Sequence, residues 1–409
     1  MLAACGGGGG STGTGALSGS SGGGTGGAPA GNTTPASVFA RPAAEALTTA
    51  DVETIIARAV AEARVRNRPG VIAVVDRVGN VLAVFSMTGA PATALTRPGS
   101  GGNTDVQAVT VPAALGAISK ALTGAYLSSG GNAFSTRTAS MIVQQHFPPS
   151  ANTIGLESGP LSGVQFSQLP CSDLNTRLGA GAPMIGPKRA PLGLAADPGG
   201  FPLYRNGVVV GGVGIMADGD YGFDPEVVDI DQDDEEAIAI AAGTGFEAPE
   251  AIRANRISVD GTTLRYADTD ASALKSVPNS APGYATINGS AGSLTPVAGF
   301  FAGSIVAGSA YGSEASGIRP AAGTAEFNHP DAWVLSDGAG NNRFPVRAGT
   351  DAAEAGAPLS AAEVRALLED AFKIMARARA QIRRPLDSRA QVSISVVDTR
   401  GAALGLVRS

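Results

Sequence analysis

A block that occurs twice constrains this chain more than any single motif. Residues 47–85 and 359–407 share one order: a capped amphipathic helix, an apolar strand, an Asp-x-x-Gly turn and a second apolar strand. Such a repeat means that one supersecondary unit is built twice, and the fold has to accommodate both copies. The second copy runs only to Ser409, one hairpin into its unit, so the chain is expected to be a fragment.

The local signals within the two copies agree. Thr48 with Asp51, and Ser360 with Glu363, have the spacing of a capping box, which predicts a helix start at each place. Apolar residues follow at Val52, Ile55, Ile56, Ala59 and Ala63, and at Val364, Leu367, Leu368, Ala371 and Met375, a helical period that predicts one buried stripe per helix. Strands are predicted at Val71 to Asp76 and Asn80 to Phe85. Asp76 and Gly79 suit the tight turn between them, as Asp398 and Gly401 do in the second copy. Glu363 to Asp398 spans 35 positions against 25 from Asp51 to Asp76, which lengthens a loop in the second copy without moving its core.

Beyond the first hairpin, helices are predicted around Ala113 to Leu127 and from Thr136 to His146, the latter stopped by Pro148 and Pro149. The stretch from Ser150 to Gly200 is rich in Pro and Gly and reads as long loops that shape a site or an interface. A second hairpin turns at Asn206-Gly207, and Gly211, Gly212 and Gly214 in its second strand imply close approach of a backbone, a helix or a ligand. A helix is predicted near Asp234 to Ala242. Residues 256–350 begin with another hairpin and read as a β-rich or irregular insert. The expected organisation is a tether over residues 1–40, a first domain over 41–255, the insert, and a partial second domain over 358–409.

The N-terminal segment points to an address rather than a fold. Leu2-Ala3-Ala4-Cys5, followed by a Gly/Ser/Thr tract through Asn32, looks like the lipobox of a bacterial lipoprotein with a flexible tether behind it. Cys5 is then the lipidated residue, the protein sits in the bacterial cell envelope, periplasmic or cell-surface, and its only membrane contact is the lipid anchor. The competing reading is a chance match in a disordered tail. A net charge of −6 with no clustered Lys or Arg argues against a nucleic-acid surface.

Three passages in order resemble the GlcG/HbpS-like family of haem-degrading or haem-binding domains. They are the D-x-x-G hairpin of Ile72 to Phe85, the A-x-x-K-A-x-T helix of Ala117 to Thr123, and the hairpin of Pro202 to Ile215. Asp233 to Ala241 is similar to the helix that closes the family's domain. The resemblance implies an α+β fold: a profilin-like antiparallel sheet of about five strands with packed helices, here duplicated with the second copy truncated. It also implies haem or a related tetrapyrrole as small-molecule partner, for sensing, storage or scavenging, and either homo-oligomers or an intrachain pseudo-dimer. An enzyme acting on haem or a small metabolite, and a non-catalytic interaction module, are the alternatives.

Haem iron needs an axial donor, and the chain has two histidines. His146 is the candidate ligand, although a helix C-terminus favours an imidazolium with no ligand present. His329 lies in the insert, where a surface loop is expected. By resemblance, Lys120 and Thr123 fall on the family's ligand-cavity helix and meet a propionate or the ligand itself; their plain alternatives are solvent exposure and helix packing. Asp76 and Asp398 are read as turn formers. The acidic run from Asp229 has Asp234 and Ile240 where a calcium loop requires Gly and Glu, and the chain has no phosphate loop, zinc spacing or nucleophile elbow.

Overall fold

The structure, a computed structural model, describes residues 36–97, 108–144, 146–150, 152–153, 184–226, 229–321, 325–378 and 389–409. Cys5 and the tether, Cys171 and most of the Ser150 to Gly200 loops lie outside the described residues.

The capping box at Thr48 forms as its spacing predicts, and α1 runs Thr49–Val65. β1 (Val71–Asp76) and β2 (Val81–Met87) pair antiparallel, with Val74 opposite Ala83. Asp76 is wholly buried at their turn and accepts the backbone N–H groups of Val78 (3.0 Å) and Asn80 (2.9 Å), which explains why the turn needs a carboxylate there. β3 (Thr93–Thr96) and β4 (Thr110–Pro112) lead into α2 (Ala113–Tyr126) and α3 (Thr136–Ile142). α3 stops short of the predicted His146. The Gln144 side-chain amide donates to the Ser140 carbonyl (3.1 Å), taking the acceptor that the next helical N–H would have used.

β5 (Gly200–Arg205) and β6 (Val208–Met216) form the second hairpin. Asn206 and Gly207 have φ of 49° and 78°, the left-handed pair that a two-residue hairpin turn demands. β7 (Asp220–Tyr221) and α4 (Asp234–Ala242) follow, then the small hairpin of β8 (Ser258–Val259) and β9 (Thr262–Thr263) and the strand β10 (Gly292–Leu294). The five-stranded sheet has the order β10-β2-β1-β6-β5, every pair antiparallel. Its two central ribbons are the two hairpins anticipated from sequence, joined where Val71 faces Met216 and Val75 faces Gly212.

Both faces of this sheet are covered. Ile72, Val74, Leu82 and Ile215 pack beneath α1 and α4, while Ala73, Val75 and Val84 pack against α2. Each fully buried Val or Ile of this kind stabilises by roughly 1.5–3 kcal/mol. Two of the β6 glycines are explained by α2, while a Cβ at Gly211 would strike the Val75 carbonyl of β1. A Cβ at Gly212 would strike the Ala121 carbonyl and one at Gly214 the Ala117 carbonyl, so it is a helix, rather than a ligand, that approaches closely.

The second copy is built the same way at its start. α5 (Ala361–Arg377) is capped by Ser360 and Glu363, and β13 (Ser393–Val397) pairs with β14 (Ala403–Arg408). Asp398 accepts from Arg400 N (3.1 Å) and Ala402 N (2.9 Å), matching Asp76. β11 (Ile318–Pro320) and β12 (Trp333–Leu335) extend the sheet in the order β11-β12-β14-β13, and α5 closes a core of Val364, Leu368, Phe372, Leu404 and Val407. Residues 256–350 contribute a strand to the first sheet and two to the second.

The buried stripe of α5 departs from expectation. Leu367 is 50% exposed, whereas its counterpart Ile55 is wholly buried. α1 packs against α4 as well as the sheet, and among the described residues α5 has no helix in that place. Among the described residues, no helix is long and apolar enough to cross a membrane.

Candidate ligand cavity and the buried charges beside it

α2 presents Ser119, Lys120 and Thr123 toward residues 190–197, and all three side chains are fully buried. Thr123 Oγ1 donates to the Ser119 carbonyl (2.9 Å) and accepts from Ala195 N (2.7 Å), while Ser119 Oγ accepts from Leu192 N (3.1 Å). The Lys120 ammonium sits 2.5 Å from Asp197 and also pairs with Glu235 at the start of α4. The helix face that the family resemblance assigned to a ligand is thus occupied by the chain's own loop. Lys120 and Thr123 make ion-pair and hydrogen-bond contacts with residues 195–197 and Glu235.

Burial works against the Lys120 charge, but Asp197 and Glu235 more than offset it and hold its pKa above the usual lysine value. Burial pushes Asp197 up to about 7 despite the pull of Lys120, and it raises Glu235 as well. One ammonium cannot neutralise two enclosed carboxylates, so one of the pair retains a proton toward neutral pH.

A second cluster lies next to it on α3 and α4. Arg137 Nε meets Glu236 at 3.1 Å, and Nη1 meets Asp224 (2.8 Å), Asp231 (2.9 Å) and Asp268 (3.4 Å). Burial again dominates at Glu236, whose pKa is pushed up to about 7. Asp224, Asp229 and Asp231 lie near enough to share an ion, but the Arg137 guanidinium already pairs with Asp224 and Asp231.

The histidines separate. His146 is exposed beyond the end of α3. His329, expected on a surface loop, is only 8% exposed; its ring packs 4.8 Å from that of Phe372 under α5, and Nδ1 accepts from Asp331 N (3.2 Å). Burial lowers its pKa below the usual value.

The space suited to a ligand lies elsewhere, over β5 and α4. A cavity of about 400 Å3 is walled by Phe201, Ile240, Phe246, Tyr266 and Ala267, with Arg253 at its rim. Small-molecule sites fall in this size range and share this character, mostly apolar with few polar groups. The Phe201 and Tyr266 rings meet edge to face at 5.4 Å, and the Arg253 guanidinium lies 5.4 Å from the Tyr266 ring centre. Arg253, Tyr266 and Ala267 also border a polar hollow of about 430 Å3, lined by Asn255, Asp268 and Asp270. No histidine, cysteine or methionine lines the cavity among the described residues. Residues 264–271 supply one wall from outside the repeated unit, with no sequence motif to announce them.

Comparison with known proteins matches residues 47–96 to the HbpS-like family, described as haem degrading protein HbpS-like. The chain overlays the crystal structure of a PduOC:heme complex at 18% identity, over 49% of this chain and 94% of that one, with a TM-score of 0.27. The Klebsiella pneumoniae protein ORFY is covered over 100% of its length by 53% of this chain, at 18% identity and a TM-score of 0.28. No curated protein matches the chain.

Proposed function

Taking residues 47–96 as an HbpS-like segment, we propose that this protein binds haem or a related tetrapyrrole in the bacterial cell envelope, for sensing, storage or scavenging. The observation that carries the reading is the cavity over β5 and α4, which offers aromatic walls to a flat apolar ring and an arginine at its rim to a carboxylate. Cys5 serves as the lipidated residue, and the Gly/Ser/Thr tract behind it lets the folded part stand clear of the membrane. The two copies of the repeated unit act as an intrachain pair, with homo-oligomers as the wider assembly. His146 is retained as an axial donor only where a ligand reaches the surface beyond α3.

Titration of the purified chain with hemin tests the reading. A shifted Soret band that saturates at one equivalent is expected, and an unshifted band at stoichiometric concentrations overturns it. His146→Ala separates the ligand from the function, because an unchanged spectrum removes His146 and leaves haem binding in place.

A further inference from the structure

The cavity and the polar hollow meet at Arg253, so one bound molecule spanning both is apolar at one end and polar at the other. Arg253 is the cation on their shared border. Its Nε donates to the Ala248 carbonyl (3.0 Å), and no carboxylate pairs with its terminal nitrogens among the described residues. Two carboxylates, Glu247 and Asp270, also line the cavity, Asp270 accepting from Ser272 N (2.7 Å), while Asp268 in the hollow lies 3.4 Å from Arg137. A partly buried guanidinium with open donors is matched in charge and geometry by a carboxylate.

The walls offer little to a metal. Imidazole, thiolate and thioether donors are lacking among the described residues, and tyrosine ligates haem iron as a phenolate. Burial raises the Tyr266 phenol above its usual value, which disfavours that form.

Resting on the tetrapyrrole reading above, we propose that this cavity recognises the macrocycle and a propionate through Arg253, so that metal-free porphyrin binds as well as haem. The chain is then a porphyrin-binding protein in a wider sense than a haem protein, and the residues that grip the ligand, Arg253 and Tyr266, lie outside residues 47–96, the segment matched to the HbpS-like family.

The test uses the full chain and two probes, hemin followed by absorbance and protoporphyrin IX followed by fluorescence. Both are expected to bind at one equivalent with dissociation constants within about fivefold of each other. Arg253→Gln is expected to weaken both by roughly tenfold or more, the scale of a charge-assisted hydrogen bond. Ala267→Trp, which fills the cavity, is expected to abolish both and serves if Arg253→Gln does not fold. Hemin binding without protoporphyrin IX binding overturns the inference while leaving the haem reading intact, as does binding of both that neither variant alters. Failure of both probes on the wild-type chain overturns the haem reading and this inference with it.

Discussion

Lys120 on α2 and Asp197 in the loop before β5 meet at 2.5 Å, with the lysine side chain wholly enclosed. The pair fastens residues 190–197 across the helix, and Glu235 ties both to α4. Lys120→Met leaves two enclosed carboxylates without a counter-charge. A loss of about 3–5 kcal/mol in unfolding free energy is expected in urea denaturation, because breaking a buried pair from one side exposes the desolvation cost of the other. A loss below about 1 kcal/mol would mean that the lysine is solvated and free to meet a ligand.

The same burial sets a pH dependence. Asp197 and Glu236 have folded-state pKa values near 7 against ordinary unfolded values of about 4. Between those values the folded state binds more protons than the unfolded one, so these groups make stability fall as pH rises from about 4 to about 7, with the loss complete above that. His329 works the other way between its lowered folded value and about 6.5. The comparison that isolates a carboxylate is therefore wild type against Glu236→Gln across pH 5 to 8. The difference in urea midpoint between the two is expected to shift in favour of the variant as pH rises, and a shift in favour of the wild type contradicts the assignment.

Equivalent positions of the repeat should respond unequally. Ile55 is enclosed beneath α4, whereas Leu367 is half exposed. Ile55→Ala is expected to cost about 2–5 kcal/mol by cavity formation, and Leu367→Ala to stay within about 0.5 kcal/mol. Thermal melts of the two variants check this, and equal losses would show that the α5 flank is covered in solution.

Much of the fold was legible because its signals are local. Thr48 and Ser360 cap their helices through residues three positions on, and the Asp76 and Asn206-Gly207 turns are settled by neighbouring backbone geometry. Partners contributed from afar were not legible. Nothing around Gly292 announces that its strand will line β2, and the A-x-x-K-A-x-T pattern finds Lys120 without showing that residues 190–197 will cover it. Leu367 was read as buried because helical period reports a stripe without reporting what packs on it. The cavity escaped for a related reason: Phe201, Phe246, Arg253 and Tyr266 share no spacing and meet only when the chain after α4 folds back over β5.

Hydrogen–deuterium exchange of the full chain with and without one equivalent of hemin tests most directly whether a tetrapyrrole is held over β5 and α4. Slower exchange is expected in residues 239–247 and 264–271, with α5 unchanged. Protection confined to other segments, or none while hemin is bound, would contradict the account.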